Sequence, residues 1–526
     1  MPAANDSLAS PRLSAALAQP NVLSKVPAKV AAKVAEKPLV WSIAASDSGG
    51  GAGIQADVLT LQDLGCHACT AVTAITAQNS VSVQAIEPVS TTMLQAQLDA
   101  LKSDLPAKVI KIGLLPTPDS ILLLAAWLQD YKAQHPLLVV ADPVLGSSTG
   151  QHWHSEDLLD AWRALLPQID VLTPNLPELG LLSGRPNQAI DEQVALLQAL
   201  GASTVLVKGG HARHSAEVTD LLYQQDTITA FSGRRLQNPH QHGTGCTLAS
   251  ALAAFLAHGY PTEDALVLAR AYVQAALQHG YATGAGPGTL AHPGWPSSQS
   301  YLSRIDSANW PTSLAEPFAG ISQPLAVYPV VDSMALLEQL VPEQPGCIQL
   351  RIKQGNLAEI SEQIAAAVAL CRKHQVRLFI NDHWQLAIEH GAYGVHLGQQ
   401  DVEQADLAAI QRAGLRLGIS SHGPFELARA LQLRPSYVAL GHVFATKTKQ
   451  MPSQPQGLHK LALSVPLCDG TPTVAIGGID QHSFAKVCAC KVHGVAMVSA
   501  ITQAQHPAQS LRRFKQLWEQ HYAYHR

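Results

Sequence analysis

Eight short apolar runs recur at near-regular spacing through the C-terminal part of the chain. They are Ala326-Val-Tyr-Pro-Val-Val331, Cys347-Ile-Gln-Leu-Arg351, Arg377-Leu-Phe-Ile-Asn381, Gly394-Val-His-Leu397, Leu415-Arg-Leu-Gly-Ile419, Tyr437-Val-Ala-Leu440, Thr473-Val-Ala-Ile476 and Gly494-Val-Ala-Met-Val498. Helical spacers separate them. One strand–helix–strand unit fits many folds, but eight in series predict a closed (β/α)8 TIM barrel. Such a barrel gathers its functional residues at the C-terminal ends of its strands. The residues that close each run are therefore the ones to read for chemistry.

The chain has 526 residues, too many for one ordinary core, and is 47% apolar but only 14% charged. Two or more α/β domains with much buried strand are expected. Ahead of the barrel, strand-like runs at Leu39–Ala45, Val109–Gly113, Leu137–Ala141, Val171–Thr173 and Thr204–Lys208 alternate with helix-like segments such as Ile54–Leu64 and Gln193–Leu200. That alternation predicts an α/β/α domain with a mostly parallel sheet over residues 39–290. Gly286-Pro-Gly288, Trp295-Pro296, Ser297-Ser298 and Trp310-Pro311 then mark a change of character. Residues 291–320 read as a linker, whose two tryptophans also suit a packed tail, and residues 321–520 as the barrel domain. Lys25, Lys29, Lys33 and Lys37 recur every four residues, but Pro27 and Pro38 oppose a helix, so residues 1–38 are expected to be a flexible leader.

A net charge of -4 gives no reason to expect nucleic acid or a membrane as partner. No apolar run has the length of a membrane span. The eight cysteines are scattered, and Cys66-His-Ala-Cys69 has no second pair at zinc-site spacing, so they read as small core residues in a reduced, cytoplasmic setting. The composition is compatible with a homo-oligomer.

In the first domain Ser48-Gly-Gly-Gly-Ala-Gly53 joins a strand to a helix that carries Asp57. No Gly-Lys-Ser/Thr follows, and the dinucleotide spacing is absent, so it is neither a P-loop nor that fingerprint. It reads either as a close backbone approach to a small substrate or as a turn that needs room. His242-Gly-Thr-Gly-Cys-Thr-Leu-Ala-Ser250 places two glycines and Cys246 at the start of a helix. Unpaired N–H groups there suit phosphoryl oxygens, whereas Cys246 by itself also suits packing. Lys208, in Lys208-Gly-Gly-His211, ends a strand as a point charge for phosphates or as an exposed strand end. Glu178, in Thr173-Pro-Asn-Leu-Pro-Glu178, orders Mg²⁺ through water or belongs to a proline-marked helix entrance.

Seven motifs together carry a resemblance: GGAGIQAD (50–57), TAITAQN (73–79), KIG (111–113), DPV (142–144), TPNLPE (173–178), KGGH (208–211) and HGTGCTLASAL (242–252). Residues 39–290 resemble the ribokinase-like hydroxymethylpyrimidine/phosphomethylpyrimidine kinases of thiamine biosynthesis. The resemblance implies two ATP- and Mg²⁺-dependent phosphorylations, of the pyrimidine alcohol and then of its monophosphate. It implies that Gln78 binds the pyrimidine, that Asp57 lies at its site, that Gly243, Gly245 and Cys246 make the anion hole, and that Lys208 assists the phosphates. Cys246 stands where most ribokinase-like enzymes carry an Asp base; its role as base or activator depends on its pKa. Asp47-Ser-Gly49 departs from the frequent Asp-Pro-Ser form of this turn.

In the barrel, the two-residue period puts Gln349, Arg351 and Lys353 on one side of their strand and Leu350 and Ile352 on the other. Two cations at one mouth suit a diphosphate. Asp382 and Asp401 close strands three and four and suit a shared divalent cation, although each alone reads as a cap or turn residue. The loops after strands seven and eight, with Gly477-Gly478 and Ser499, sit where this fold cradles phosphate. The motifs QLRIK, FINDHW, GVHLGQQD, LGISSH, GHVFATKTKQMPS, AIGGI and VSAI closely resemble thiamine-phosphate synthase over residues 325–515. The resemblance implies that Gln349, Arg351, Lys353, Asn381, Ser420 and Lys449 hold the pyrimidine diphosphate, with Arg351 and Lys353 acting on the leaving group. It assigns Mg²⁺ to Asp382 and Asp401, and the thiazole phosphate to Thr446, Thr448, Gly478, Val498 and Ser499. Two other readings stand beside it: a vitamin B6-type or other small-alcohol kinase fused to a synthase, and an effector-binding regulator built on inactive domains.

Overall fold

The computed structural model describes residues 37–146, 154–210, 215–446 and 454–522. Lys25, Lys29, Lys33, His211, Thr448 and Lys449 lie outside the described residues. The first sheet comprises β1 (Leu39–Ser46), β2 (His67–Gln78), β3 (Val83–Pro88), β4 (Val109–Ile112), β5 (Leu138–Ala141), β6 (Val171–Leu172), β7 (Thr204–Val207), β8 (Glu217–Gln224), β9 (Thr227–Arg234) and β10 (Arg304–Asp306). Their order across the sheet is β10-β9-β8-β7-β6-β5-β4-β1-β2-β3. Strands β7 through β2 in that order run parallel. Antiparallel strands extend both edges.

Alternate residues of the parallel strands enter two different cores, as a period of two requires. Val40, Val109 and Val140 face the helices Thr244–Ala257 and Thr262–Gln278. Trp41, Ile110 and Val139 face the opposite layer, with Leu94, Leu124 and Leu159. Cys66 and Cys69 fall into these separate cores. The helix Thr244–Ala257 is buried continuously from Thr247 to Ala257. A helix enclosed over most of its length takes apolar, mostly small side chains, in keeping with its Ala-rich sequence.

The second unit is a closed parallel barrel of β11 (Ala326–Val331), β12 (Cys347–Leu350), β13 (Arg377–Asn381), β14 (Gly394–Leu397), β15 (Arg416–Ser421), β16 (Tyr437–Leu440), β17 (Thr473–Ile476) and β18 (Gly494–Met497). Strand β18 closes it by pairing with β11. Tyr328, Phe379 and Tyr437 fill the interior. Gly418 makes space for them, since a Cβ there would lie 2.2 Å from the Tyr437 ring.

Residues 291–320 pack against both units. Trp295 sets its ring edge-on to Phe255 at 5.1 Å and to His459 of the barrel unit at 6.0 Å. Ile305 in β10 exchanges two hydrogen bonds with the Gln432 side chain. Trp310 lies 4.1 Å beneath the Arg429 guanidinium. Among the described residues, no helix is long and apolar enough to cross a membrane.

Candidate active sites

In the first domain the strand order reverses around β1, which lies between β4 and β2. In open α/β sheets the crevice at the C-terminal strand ends beside such a reversal is the favoured ligand position. The glycine turn leaves β1 at this point and folds around the Asp47 carboxylate. Asp47 accepts the N–H groups of Gly49 (2.8 Å), Gly51 (3.1 Å) and Ala52 (2.8 Å). Burial alone would raise its pKa, but His242 and the turn amides outweigh burial and hold the carboxyl below its usual range. His242 Nε2 stands 3.4 Å from both Asp47 Oδ2 and Gln78 Nε2. Gly243 has φ +84°, and a Cβ there would strike the Gly51 carbonyl at 2.0 Å. Backbone thus meets backbone between the two glycine-rich segments.

At the helix start, Thr244 donates to the Gln241 carbonyl at 3.3 Å and Thr247 to Gly243 at 2.9 Å. The N–H groups of Gly245 and Cys246 find no acceptor among the described residues. Open amide donors in this position are what an anion site needs. Beside Gly245, Lys208 Nζ lies 2.5 Å from Asp142 Oδ1 and 3.9 Å from Glu178 Oε2. Burial works against charge on Lys208, but Asp142 and Glu178 outweigh it and raise the pKa. Glu178 is pushed up to about 7 by burial and by the Asp142 charge, against the pull of Lys208 and Asn175. Asp142 and His242 had no role assigned from sequence, although DPV and HGTGC were both noted. Their positions directly after β5 and before the anion-hole glycines are the signal that could have found them.

Burial bears on two of the expected site residues, Asp57 and Cys246. Asp57 is fully buried, accepting Lys111 Nζ at 2.8 and 2.9 Å, Ser42 Oγ at 2.6 Å and Ser250 Oγ at 2.7 Å. Its oxygens are occupied within the protein, so it supports the site from beneath. Cys246 has its thiol pushed up to about 11, chiefly by burial, with Asp57 and Asp142 adding to the rise and Lys111 opposing it. A thiol in that state keeps its proton at neutral pH and is a poor base.

The barrel carries a cavity of about 220 Å³ at the C-terminal ends of its strands. Gln349, Arg351, Lys353, Asn381, Asp382, Asp401, Ser420, Thr446, Gly478, Val498 and Ser499 all line it. Leu350 and Ile352 are buried in the outer core, so the two-residue period sorted this segment correctly. Lys353 Nζ is ion-paired with Asp382 Oδ2. The Asp401 carboxyl is raised by burial and then by the Asp382 carboxylate, with the Gly398 amide and Lys353 opposing. Two carboxylates that repel in this way fit a hard dication completed by water and phosphate oxygens. No group of three or more His, Cys, Asp or Glu side chains suited to a metal occurs among the described residues.

A buried polar chain underlies the cavity. Gln349 Nε2 donates to the Tyr328 hydroxyl (3.1 Å), which meets the Tyr437 hydroxyl (3.0 Å). His396 bonds Tyr437 through Nδ1 and Ser420 Oγ through Nε2, both at 2.8 Å. This chain orients Gln349 and Ser420 together. His396 was overlooked in the sequence, although a histidine in the apolar run Gly394–Leu397 is itself a signal.

Two family models match the chain: phosphomethylpyrimidine kinase over residues 47–291 and thiamine monophosphate synthase over residues 327–501. The thiamine-phosphate synthase of Yersinia pestis (strain Pestoides F) is 57% identical over 187 residues, spanning 36% of this chain and 87% of the relative. That of Serratia proteamaculans (strain 568) is 53% identical over 193 residues, spanning 37% and 91%. Among solved structures, phosphomethylpyrimidine kinase from Clostridium difficile 630 aligns at 32% identity with a TM-score of 0.40, covering 45% of this chain and 98% of that one. Pyridoxal kinase from Staphylococcus aureus in complex with pyridoxal aligns at 28% identity with a TM-score of 0.46, covering 52% and 99%. The chain belongs to the thiamine-phosphate synthase family through its barrel and joins to it a ribokinase-like phosphomethylpyrimidine kinase domain, which makes it a bifunctional transferase of thiamine biosynthesis.

Proposed function

We propose that the first domain transfers phosphoryl groups from ATP to 4-amino-5-hydroxymethyl-2-methylpyrimidine and then to its monophosphate. The barrel then joins the resulting diphosphate to 4-methyl-5-(2-phosphooxyethyl)thiazole, giving thiamine phosphate and pyrophosphate. The domains are taken as residues 39–290 and 321–520, and the setting as cytoplasmic. The observation that carries the reading is the barrel cavity whose lining brings Arg351 and Lys353 together with Asp382, Asp401, Gly478 and Ser499.

In the kinase domain, Gln78 and His242 border the pyrimidine and the free amides of Gly245 and Cys246 receive the transferred phosphoryl group. Lys208 turns from Asp142 toward the phosphates. Glu178 fits a water-mediated contact to Mg²⁺. Positioning and fixed positive potential are most of what phosphoryl transfer requires. A protonated Cys246 serves there as a packing or hydrogen-bonding group.

In the barrel, Asp382 and Asp401 would hold Mg²⁺, which supplies charge neutralisation to a departing diphosphate. Arg351 and Lys353 bind the same oxygens and stabilise the charge that grows on them as the bond to the pyrimidine methylene breaks. Gln349, Asn381 and Ser420 orient the pyrimidine. Thr446, Gly478, Val498 and Ser499 seat the thiazole phosphate so that its ring nitrogen faces the methylene carbon. Lys449 and Thr448 join these two sets by the family resemblance alone.

The test supplies the purified chain with the pyrimidine alcohol, ATP, Mg²⁺ and the thiazole phosphate, and follows every species by mass spectrometry. Ordered appearance of monophosphate, diphosphate and thiamine phosphate is expected. Failure to couple a supplied diphosphate would overturn the synthase half. Failure to phosphorylate the alcohol, with turnover of a vitamin B6-type alcohol instead, would overturn the kinase half.

A further inference from the structure

The helix Pro424–Gln432 of the barrel unit begins at Gly423, which has no side chain with which to cap it. Its N-terminal amide is capped from the other domain. Asp264, in the first turn of the helix Thr262–Gln278, accepts the Phe425 N–H at 2.7 Å. The approach depends on Gly423, because a Cβ there would lie 2.3 Å from Asp264 Oδ2. An Asp side-chain oxygen at a helix N-terminus accepts a backbone N–H that has no partner within the helix.

The residues just before this helix belong to the cavity wall: Ser420, Ser421 and His422 all line it. The same helix fixes them twice more. Glu426 accepts the His422 backbone N–H at 2.8 Å. Arg429 donates to Gln399 Oε1 at 2.8 Å, and Gln399 Nε2 donates to the Ser420 carbonyl at 2.6 Å. Arg429 is in turn held against Trp310 of the segment between the domains. Two chains of contact therefore run from outside the barrel to Ser420 and His422.

We propose that Asp264 is a positioning residue for the coupling reaction: the kinase domain caps the helix Pro424–Gln432 and so holds the Ser420–His422 wall of the synthase cavity in its binding geometry. The inference rests on the reading of that cavity as the synthase site. It makes the kinase domain a structural part of the synthase rather than a passenger on the same chain. Asp264 lies just beyond the C-terminal end of the helix Thr244–Ala257, about 20 Å along its axis from the proposed anion hole. Its loss should therefore spare the kinase reaction.

The experiment uses the full chain. In Asp264→Ala, the KM for the pyrimidine diphosphate should rise about five-fold or more, with synthase kcat within about two-fold and kinase kcat/KM unchanged. Asp264→Asn keeps an acceptor for Phe425 and should bring KM back near that of the unmodified chain. Gly423→Ala is a second arm, since its methyl collides with Asp264. Its KM should also rise, and the Gly423→Ala/Asp264→Ala double variant should fall short of the product of the two single effects. An unchanged KM in folded Asp264→Ala, equal losses in both reactions, or multiplicative single effects would overturn the proposal. If the unmodified chain formed no thiamine phosphate from supplied diphosphate, the synthase reading would fail first, and this inference with it.

Discussion

The two sites manage charge in opposite ways. In the kinase domain the carboxylates are neutralised within the protein: Asp57 by Lys111 and two serines, Asp142 by Lys208, Asp47 by turn amides. The backbone amides of Gly245 and Cys246 stay open beside them. In the barrel, cations and carboxylates line an open cavity, and Lys353 against Asp382 is half-exposed. Burial makes the first set part of the fold's stability. Solvent access leaves the second set free to serve chemistry at little structural cost. Substitutions at the first site should therefore damage folding and activity together, and those at the second should separate the two.

The largest effect should come from the fully buried pair. Removing one partner, as in Lys111→Met, strands a charge and should cost about 3–5 kcal/mol, read from denaturant unfolding of the full chain. A loss under about 1 kcal/mol, the range of a surface pair, would break the contrast. Next comes the cavity: Asp382→Ala should lower synthase kcat by about 10²–10³-fold, with the melting temperature and kinase rate held. A comparable fall in kinase rate would show that the sites are not separable in this way.

A third, smaller effect lies at the junction. Asp264 is raised to about 7 by burial, with Glu426 and Glu263 adding to the rise and the Phe425 amide and Lys460 opposing it; Tyr260 packs nearby and feels the same carboxylate. A carboxyl raised in the fold takes up a proton on folding between its ordinary value of 3.8 and about 7. Its stabilising protonation is complete below 3.8 and is lost as pH climbs through 7. Asp264→Asn cannot lose it. Its melting temperature should gain on the unmodified chain between pH 5 and pH 7.5, at about 2–4 °C per kcal/mol for a domain of this size. A constant difference across that range would mean that Asp264 is charged throughout. The smallest effect is expected at Cys246. With its thiol neutral, Cys246→Ser should lower kinase kcat by less than about ten-fold, whereas loss of a general base costs about 10²–10⁴-fold.

Much of this was readable in one dimension, and unevenly so. The barrel strands stood out because a parallel strand is covered on both faces and so reads as a continuous apolar run. Strands β2, β3, β8, β9 and β10 did not: β2 alternates buried with part-exposed residues, and the antiparallel edges mix polar with apolar residues, as in Val83-Gln-Ala-Ile-Glu-Pro88. The segment Gln349–Lys353 gave away its site because alternation alone decides which side chains share a face. The resemblance puts Asp57 at the pyrimidine site, but local sequence does not show that Lys111, Ser42 and Ser250 occupy its oxygens. His396 and Asp264 act through Tyr437 and Phe425, partners 41 and 161 positions away.

The sequence by itself determined the two α/β units, the order of the barrel strands, the two faces of the segment Gln349–Lys353 and the families of both domains. These follow from local periodicity and from motifs whose residues lie close together along the chain. Tertiary structure alone decided which carboxylates are spent inside the protein, that burial raises the Cys246 thiol, and that one domain caps a helix of the other. Each of those outcomes depends on desolvation and on partners brought together across long sequence separations, and neither is encoded in any local stretch of residues.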